Sequence, residues 1–269
     1  MAIKREYRFV GETMKAVAII PARMGSSRFP GKPLANILGL PMIEHVRRRV
    51  AMSKILSEVY VATCDQEIHD AVTQLGGNAI MTSSSHQRAS DRTAEAAEAL
   101  DAELFVMVQG DEPMTYPDMI DLALRPMLQD SKIICTNLMK RITEHSDYLN
   151  PNTIKVVVNN ESDALYMSRS PIPHLADVSN LSTTPMYKQV CIIPFTRAGL
   201  KLYTELSPTQ LEITESVDMN RFMEHGYNVR MIESEYDSHA VDNLEDLHLV
   251  TQLIREDPLT RQYLESFSE

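Results

Sequence analysis

Short apolar, β-branched runs alternate with amphipathic segments through the first half of the chain, and that alternation restricts it to one broad class of fold. Ala16 to Ala22 (AVAIIPA) opens the series, followed by Val59 to Thr63 (VYVAT), Asn78 to Met81 and Leu104 to Val108 (LFVMV). Runs this short and this apolar read as parallel strands buried on both faces. Helical patterns lie between them, at Pro41 to Ser53, Gln66 to Leu75 and the Ala/Glu-rich Asp91 to Leu100. Together they predict an α/β fold with a doubly wound, mostly parallel sheet. In such a sheet the ligand lies beyond the carboxyl ends of the strands. The polar loops after the first, second and fourth runs, residues 23–33, 64–65 and 109–113, are therefore expected to converge on one crevice.

The second half changes character. Ile154 to Val158 (IKVVV), Ala164 to Met167 and Gln189 to Phe195 read as strands separated by turn signals. Leu211 to Gly226 reads as a helix opened by Pro208 and Thr209, and Asn228 to Ile232 as a further strand. Asn243 to Glu256 reads as a closing helix capped by Asp242 or Asn243. The expected organisation is a lead-in over residues 1–14, a single domain over 15–256 and a C-terminal tail over 257–269. Within the domain a core sheet takes about 15–150 and 226–256, and a smaller β-rich lobe over the crevice takes about 151–225.

Composition narrows the partners. The formal net charge is −11 over 269 residues, and so acidic a surface repels nucleic-acid phosphates and anionic membranes. No apolar run is long enough to span a bilayer. Cys64, Cys135 and Cys191 have no paired spacing, which fits a reducing compartment. Met1 to Lys15 lacks the apolar stretch of a secretory signal. A cytoplasmic protein without nucleic-acid or membrane partners is expected.

Against that acidity, the loop Pro21-Ala-Arg-Met-Gly-Ser-Ser-Arg-Phe-Pro-Gly-Lys-Pro33 concentrates cations. Arg23, Arg28 and Lys32 sit on it, and Gly25, Ser26 and Ser27 free backbone amides for close approach to an anion. This composition suits a triphosphate cradle, in which fixed cations stabilise charge that develops during phosphoryl transfer. It also suits a solvated turn with incidental basic residues. The loop is not a Walker A motif, since G-x-x-x-x-G-K-[ST] is absent. Gln109-Gly-Asp-Glu-Pro113 follows a buried strand, and Asp111 there could hold Mg2+ with substrate phosphates or serve as a turn or cap carboxylate. Asp242, just ahead of the last helix, reads from its position as a helix cap.

Seven segments, IPARMGSSRFPGKPL, VATCD, HQRASDR, VQGDEP, NPNTIKVVV, ALYMSRSPIP and AVDNLEDL, resemble the 3-deoxy-manno-octulosonate (Kdo) cytidylyltransferase family in the same order. The likeness spans about residues 16 to 256. It implies a nucleotide-diphospho-sugar-transferase-like fold, a homodimer, CTP and a small anionic acceptor as substrates, and Mg2+ as cofactor. Carried over residue by residue, it places Pro21, Ala22, Arg23, Ser26, Arg28, Lys32, Ala62, Thr63, Asp65, Ser90 and Arg92 at the nucleotide. Lys32, Arg28 and Arg23 take the catalytic charge-stabilising role. Asp111 and Asp242 become metal ligands, the latter in place of the cap reading. Arg88, Gln109, Arg169, Gln189, Ile193 and Glu212 fall at the acceptor.

The likeness breaks in two places. The family's Ser-Gly-Thr-(Asp/Glu)-Arg run is Arg88-Ala89-Ser90-Asp91-Arg92 here, which adds a cation and removes a glycine. Its His-Ile-Gly-Ile-Tyr strand is Gln189-Val190-Cys191-Ile192-Ile193, without imidazole, glycine or phenol. The implied activity is transfer of CMP from CTP to a Kdo-type sugar acid with release of pyrophosphate. The departures open the alternatives of a phosphonate such as phosphonoformate, or an amino-substituted octulosonate, and predict that unmodified Kdo is a poor acceptor. A dinucleotide-dependent oxidoreductase is excluded, because no G-x-G-x-x-G follows the first strand. Retention of Lys32, Asp111 and Asp242 argues against a catalytically dead regulatory paralogue.

Overall fold

The computed structural model describes residues 14–25, 29–176, 181 and 183–265. The chain begins with β1 (Ala16–Ala22), a 3-10 turn at Lys32–Leu34, and the short hairpin strands β2 (Asn36–Ile37) and β3 (Leu40–Pro41). Then come α1 (Met42–Val50), β4 (Glu58–Thr63), α2 (Gln66–Gln74), β5 (Asn78–Met81), α3 (Ala89–Glu98), β6 (Leu104–Val108) and α4 (Pro117–Gln129). The middle of the chain holds β7 (Thr136–Arg141), α5 (His145–Leu149), β8 (Lys155–Val158), β9 (Ala164–Ser168), β10 (Tyr187–Val190) and β11 (Ile192–Thr196). It continues through α6 (Arg197–Glu205), α7 (Gln210–Glu215), α8 (Asn220–Glu224) and β12 (Arg230–Glu233) to the closing helices α9 (Leu244–Glu256) and α10 (Pro258–Glu265). No helix among the described residues is long and apolar enough to cross a membrane.

These elements form two compact units, one from Met1–Asp121 with Asp237–Glu269 and one from Leu122–Tyr236. In the first, strands β6, β1, β4 and β5 lie side by side in that order and all parallel. This is the α/β sheet that the strand–helix alternation predicts. Every residue of β1 is buried, as an apolar strand covered on both faces must be. The chain steps from β1 to β4 to β5 on one side, then crosses to β6 on the other. The carboxyl ends of β1 and β6 thus flank the switch point, where an open α/β sheet leaves a crevice. Gly110 permits the close approach there. A Cβ on it would lie 2.9 Å from the Pro21 carbonyl oxygen and 3.1 Å from Ile43 Cδ1.

The second unit is built on a mixed sheet ordered β12-β7-β10-β8-β9, with β12 parallel to β7 and the other neighbours antiparallel. Strands β7 and β12 fall in stretches that the chain-order reading gave to the core sheet, yet they pair with each other here. The single strand expected over Gln189 to Phe195 is two, β10 and β11, parted at Cys191. The single helix expected over Leu211 to Gly226 is also two. Ser216 takes a left-handed conformation (φ 54°) that ends α7. Arg221 of α8 then folds back to pair with buried Glu212, at 2.7 Å from Nη2 to Oε1 and 2.8 Å from Nε to Oε2.

Residues 258–265, within the stretch read as a tail, form α10, which polar groups lock to α1. Arg49 has no exposed surface; its Nη2 donates to Asp257 and to Thr260 Oγ1, the latter at 2.8 Å. His45 is equally buried. Its Nε2 lies 2.7 Å from the Ile37 carbonyl and must carry the proton, so Nδ1 accepts from the Tyr263 hydroxyl, also at 2.7 Å. That arrangement is a neutral imidazole. Burial, with the opposing pull of the Ile37 carbonyl and the repulsion of Arg49 and Arg48, lowers its pKa from 6.5 to about 4.

The unfolded chain protonates His45 near 6.5, whereas the folded chain keeps it neutral down to about 4. Its contribution to stability is therefore complete above the unfolded value and is lost as pH falls through the folded one. The native protein should lose about 2 kcal/mol from this group between pH 7 and pH 5. Urea unfolding of a His45→Gln variant should show a correspondingly weaker fall over the same range. Equal pH slopes for the two proteins would assign the effect elsewhere.

Candidate active site

The cation-bearing loop leaves β1 at Arg23 and is closed on itself by Met24 and Gly31. Gly31 N–H donates to the Met24 carbonyl at 3.1 Å, and its φ of 73° is a value that glycine adopts without a Cβ penalty. The Met24 N–H in turn donates to Asp65 Oδ2 at 2.7 Å. Asp65 occupies the N-cap position of α2 but makes no side-chain cap bond there. Its carboxylate holds the loop instead. After Gly31 the chain enters the 3-10 turn with Pro33 in its first positions, so Lys32 leaves a backbone with little freedom. Ser26 and Arg28, both expected at the phosphates, lie outside the described residues.

Lys32 points at two carboxylates from distant parts of the sequence. Its Nζ lies 2.8 Å from Asp111 Oδ2 and 3.5 Å from Asp242 Oδ1. Asp111 follows β6, and Asp242 precedes α9; the Val241 N–H donates to the Asp111 carbonyl at 2.9 Å and ties the segments together. The cap of α9 is Asn243, whose side chain accepts from Asp246 N–H in a capping box. Asp242 is not the side-chain cap, and its Oδ1 faces Lys32. Two carboxylate oxygens converging on one cationic centre are a fitting donor set for a hard divalent ion. Among the described residues no group of three or more His, Cys, Asp and Glu lies together.

A cleft of about 450 Å³ opens beside these groups, within the usual range for small-molecule sites. Pro21, Ala22, Arg23 and Lys32 line one side, Gln109, Gly110 and Asp111 another, and His86, Gln87, Arg88, Ala89 and Arg92 a third. The loops after β1 and β6 converge as expected. The 64–65 loop does not line the cleft; it acts from behind through Asp65. In its place stands the segment between β5 and α3, with His86 and Gln87, which are not among the expected site residues. Their signal is the motif HQRASDR itself, which supplies four consecutive lining residues, His86 to Ala89, and Arg92. Ser90 is fully buried, with its hydroxyl 3.8 Å from Met107 Sδ, and Ala62 and Thr63 are also fully buried. These three present no side-chain surface to the cleft.

The third side is held rigidly. Glu95 on α3 accepts from the Ser83 N–H at 2.9 Å and pairs with His86 Nε2. Burial works to raise the Glu95 carboxyl, but the Ser83 amide, His86 and Arg92 together bring it below its ordinary value. Arg92 is almost wholly buried and donates to Thr82 Oγ1 at 2.5 Å and Cys64 Sγ at 3.5 Å. Arg92 thus binds the 82–88 segment to the end of β4.

Of the residues expected at the acceptor, Arg88 and Gln109 line this cleft; the other four belong to the second unit. Arg169 donates from Nε to the Glu215 carbonyl at 2.6 Å and from Nη1 to the Pro151 carbonyl at 3.0 Å. Its own carbonyl accepts from the buried Lys155 ammonium at 2.6 Å, and burial lowers the pKa of that lysine. Gln189 Nε2 donates to Asn137 Oδ1 at 2.6 Å. Ile193 and Glu212 are buried, the latter against Arg221, so as placed here neither offers side-chain surface to a ligand.

The cytidylyltransferase family profile matches residues 17–234. The 3-deoxy-manno-octulosonate cytidylyltransferase of Geobacter metallireducens is 42% identical over 247 residues, which is 89% of this chain and 97% of that protein. The protein of that name from Solibacter usitatus is 38% identical, over 90% of this chain and 95% of its own length. Among solved structures, a CMP:2-keto-3-deoxy-manno-octonic acid synthetase complexed with CTP is 38% identical, with a TM-score of 0.84 over 90% of this chain and 99% of that one. A 4-diphosphocytidyl-2C-methyl-D-erythritol synthase from Anaerococcus prevotii, 16% identical with a TM-score of 0.60 over 90% of this chain and 97% of that one, shares the fold alone. A cleft that gathers cations at the sheet's carboxyl edge and two carboxylates beside it thus sits in a CTP-dependent nucleotidyltransferase, and the chain belongs to the 3-deoxy-manno-octulosonate cytidylyltransferase family.

Proposed function

We propose that this enzyme transfers the cytidylyl group of CTP to a sugar acid of the 3-deoxy-manno-octulosonate type, with Mg2+ as cofactor, and releases pyrophosphate. The observation that carries the reading is the concentration of Arg23, Lys32, Arg88 and Arg92 around one cleft of a chain whose net charge is −11. A hydroxyl oxygen of the acceptor attacks the α-phosphorus and gives up its proton to solvent, a P–O bond forms there, and the bond from that phosphorus to the oxygen bridging it to the β-phosphate breaks. Pyrophosphate leaves with the electron pair. Two anions meet in this step, so positioning and charge neutralisation carry the rate. Lys32 and Arg23 stabilise the departing pyrophosphate, and Arg28 joins them by the family likeness. Backbone groups of Pro21 and Ala22, at the end of β1, read the cytosine edge. Asp111 and Asp242 would hold Mg2+, whose positive charge would lower repulsion between acceptor and nucleotide oxygens.

The acceptor is the one in the relatives' name. The phosphonate and amino-sugar alternatives rest on Gln189, Cys191 and Ile193, and two of these are already engaged: Gln189 bonds Asn137, and Ile193 is buried. Neither the relatives nor this packing supports them. The purified protein, given CTP, Mg2+ and Kdo, should release pyrophosphate and yield a CMP-linked sugar acid by mass spectrometry. Faster turnover of phosphonoformate or an amino-substituted octulosonate than of Kdo would transfer the assignment to that acceptor.

Lys32→Ala should keep its fold, read by circular dichroism, and lower turnover by about 10²–10³, the usual effect of removing one preorganised charge at a developing anion. Near-normal turnover would remove Lys32 from the chemistry. Asp111→Asn keeps the shape and hydrogen-bonding reach of the side chain but not its charge. Its residual activity should respond to magnesium only at far higher concentration than the native enzyme requires. An unchanged magnesium titration would return Asp111 to a turn residue.

A further inference from the structure

Lys32 lies between the two carboxylates to which the metal reading gives the ion. Its ammonium touches Asp111 Oδ2 and Asp242 Oδ1 at 2.8 and 3.5 Å, the two oxygens that make up the protein's donor set. A single positive charge between two carboxylates relieves their mutual repulsion and holds them convergent. The same two oxygens cannot serve an ammonium and a divalent cation together, because the two cations would repel at contact distance. We infer that Lys32 occupies the divalent-cation seat in the nucleotide-free enzyme, and that arrival of the nucleoside triphosphate draws it off and opens the seat. The inference rests on the metal reading proposed above.

Three features of the chain make the exchange physically accessible. The Lys32 backbone is fixed by the 3-10 turn, the Leu34 N–H donating to the Gly31 carbonyl at 3.0 Å and the Ala35 N–H to the Lys32 carbonyl at 3.0 Å. Only its four-carbon stem must move, and lysine's stem is flexible and its charge a compact point. The cleft lies against it, since Lys32, Arg23 and Asp111 all line that space, so a triphosphate there offers the ammonium new anionic partners. The carboxylates need not move in the exchange, because the Val241–Asp111 backbone bond at 2.9 Å and the Asp242 N–H bond to Asp246 at 2.9 Å hold both segments. Lys32 thereby acts as a positioning residue before it touches substrate. It keeps the metal ligands in register, and it couples metal binding to nucleotide binding with the reciprocity that linkage requires.

The test is direct binding of Mn2+ to the full chain without nucleotide, followed by loss of the free-ion electron paramagnetic resonance signal. The native protein should bind Mn2+ weakly. Lys32→Met should bind it about ten-fold or more tightly, and Lys32→Gln, which keeps a polar side chain at this partly exposed position, should do the same. Adding Asp111→Asn to either variant should abolish the gain. Affinity in both variants that equals or falls below that of the native protein overturns the inference, as does a gain that survives Asp111→Asn. The metal reading fails separately. Native turnover of CTP that is indifferent to a chelator removes the metal itself, whereas metal-dependent turnover with unchanged Mn2+ binding in the Lys32 variants removes only the role given to Lys32.

Discussion

Two carboxylates held side by side repel each other, and the first unit of this protein is organised around the cation that lets it hold them. Asp111 ends a buried strand, Asp242 precedes a helix far along the chain, and Lys32 meets both at 2.8 and 3.5 Å. Each needs its own backbone support. Gly110 lets the end of β6 lie against β1, Asn243 takes over the cap of α9, and the 3-10 turn aims Lys32. The sheet supplies the frame: β1 is buried along its whole length and delivers the cationic loop to the same edge where β6 delivers Asp111.

The cleft also shows polar side chains diverted from local duty to long-range duty. Asp65 forgoes capping α2 and holds Met24. Asp242 leaves the cap of α9 to its neighbour. Glu95 gathers His86 and Ser83 from the preceding segment, although burial alone would favour its neutral form. A local hydrogen bond in water adds little, whereas one that crosslinks buried or half-buried loops excludes water and fixes geometry. Preorganisation of that kind is what an electrostatic site needs, since its groups must be in place before charge develops.

Strands legible in the sequence are those whose apolar residues run unbroken. β1, β4, β5 and β6 lie within a residue of their expected bounds. β7 had no counterpart in the reading, and its composition explains why. Asn137 sits inside it, buried, with its amide donating to the Val190 carbonyl at 2.7 Å, so a neighbouring strand satisfies what hydropathy alone counts as polar surface. α4 carries Pro126 in its interior, which reads as a helix breaker. α10 is held to α1 by Arg49, His45 and their partners, contacts made far apart in the chain. In the site, the cationic loop and Gln109-Gly-Asp-Glu-Pro113 were legible as clusters of chemistry. The roles of Asp65 and Glu95 as supports were not, because both depend on contacts made at a distance.

The sequence by itself determined the strand–helix alternation, hence a parallel sheet with its ligand site at the carboxyl ends. It also determined which residue types could neutralise a polyphosphate, because a run of Arg, Gly, Ser and Lys in so acidic a chain carries that meaning without coordinates. Only the tertiary structure decided that Lys32, Asp111 and Asp242 meet, since residues separated by most of the chain are joined by strand order and a backbone bond that no local pattern encodes. It alone decided which of two adjacent residues caps α9, and that Ser90 and Thr63 turn inward while His86 and Arg88 face the cleft. The physical reason is common to all of these. Propensity and periodicity act over a few residues, whereas the pairing of charges and the burial of polar groups depend on what the whole folded chain brings within a few ångströms.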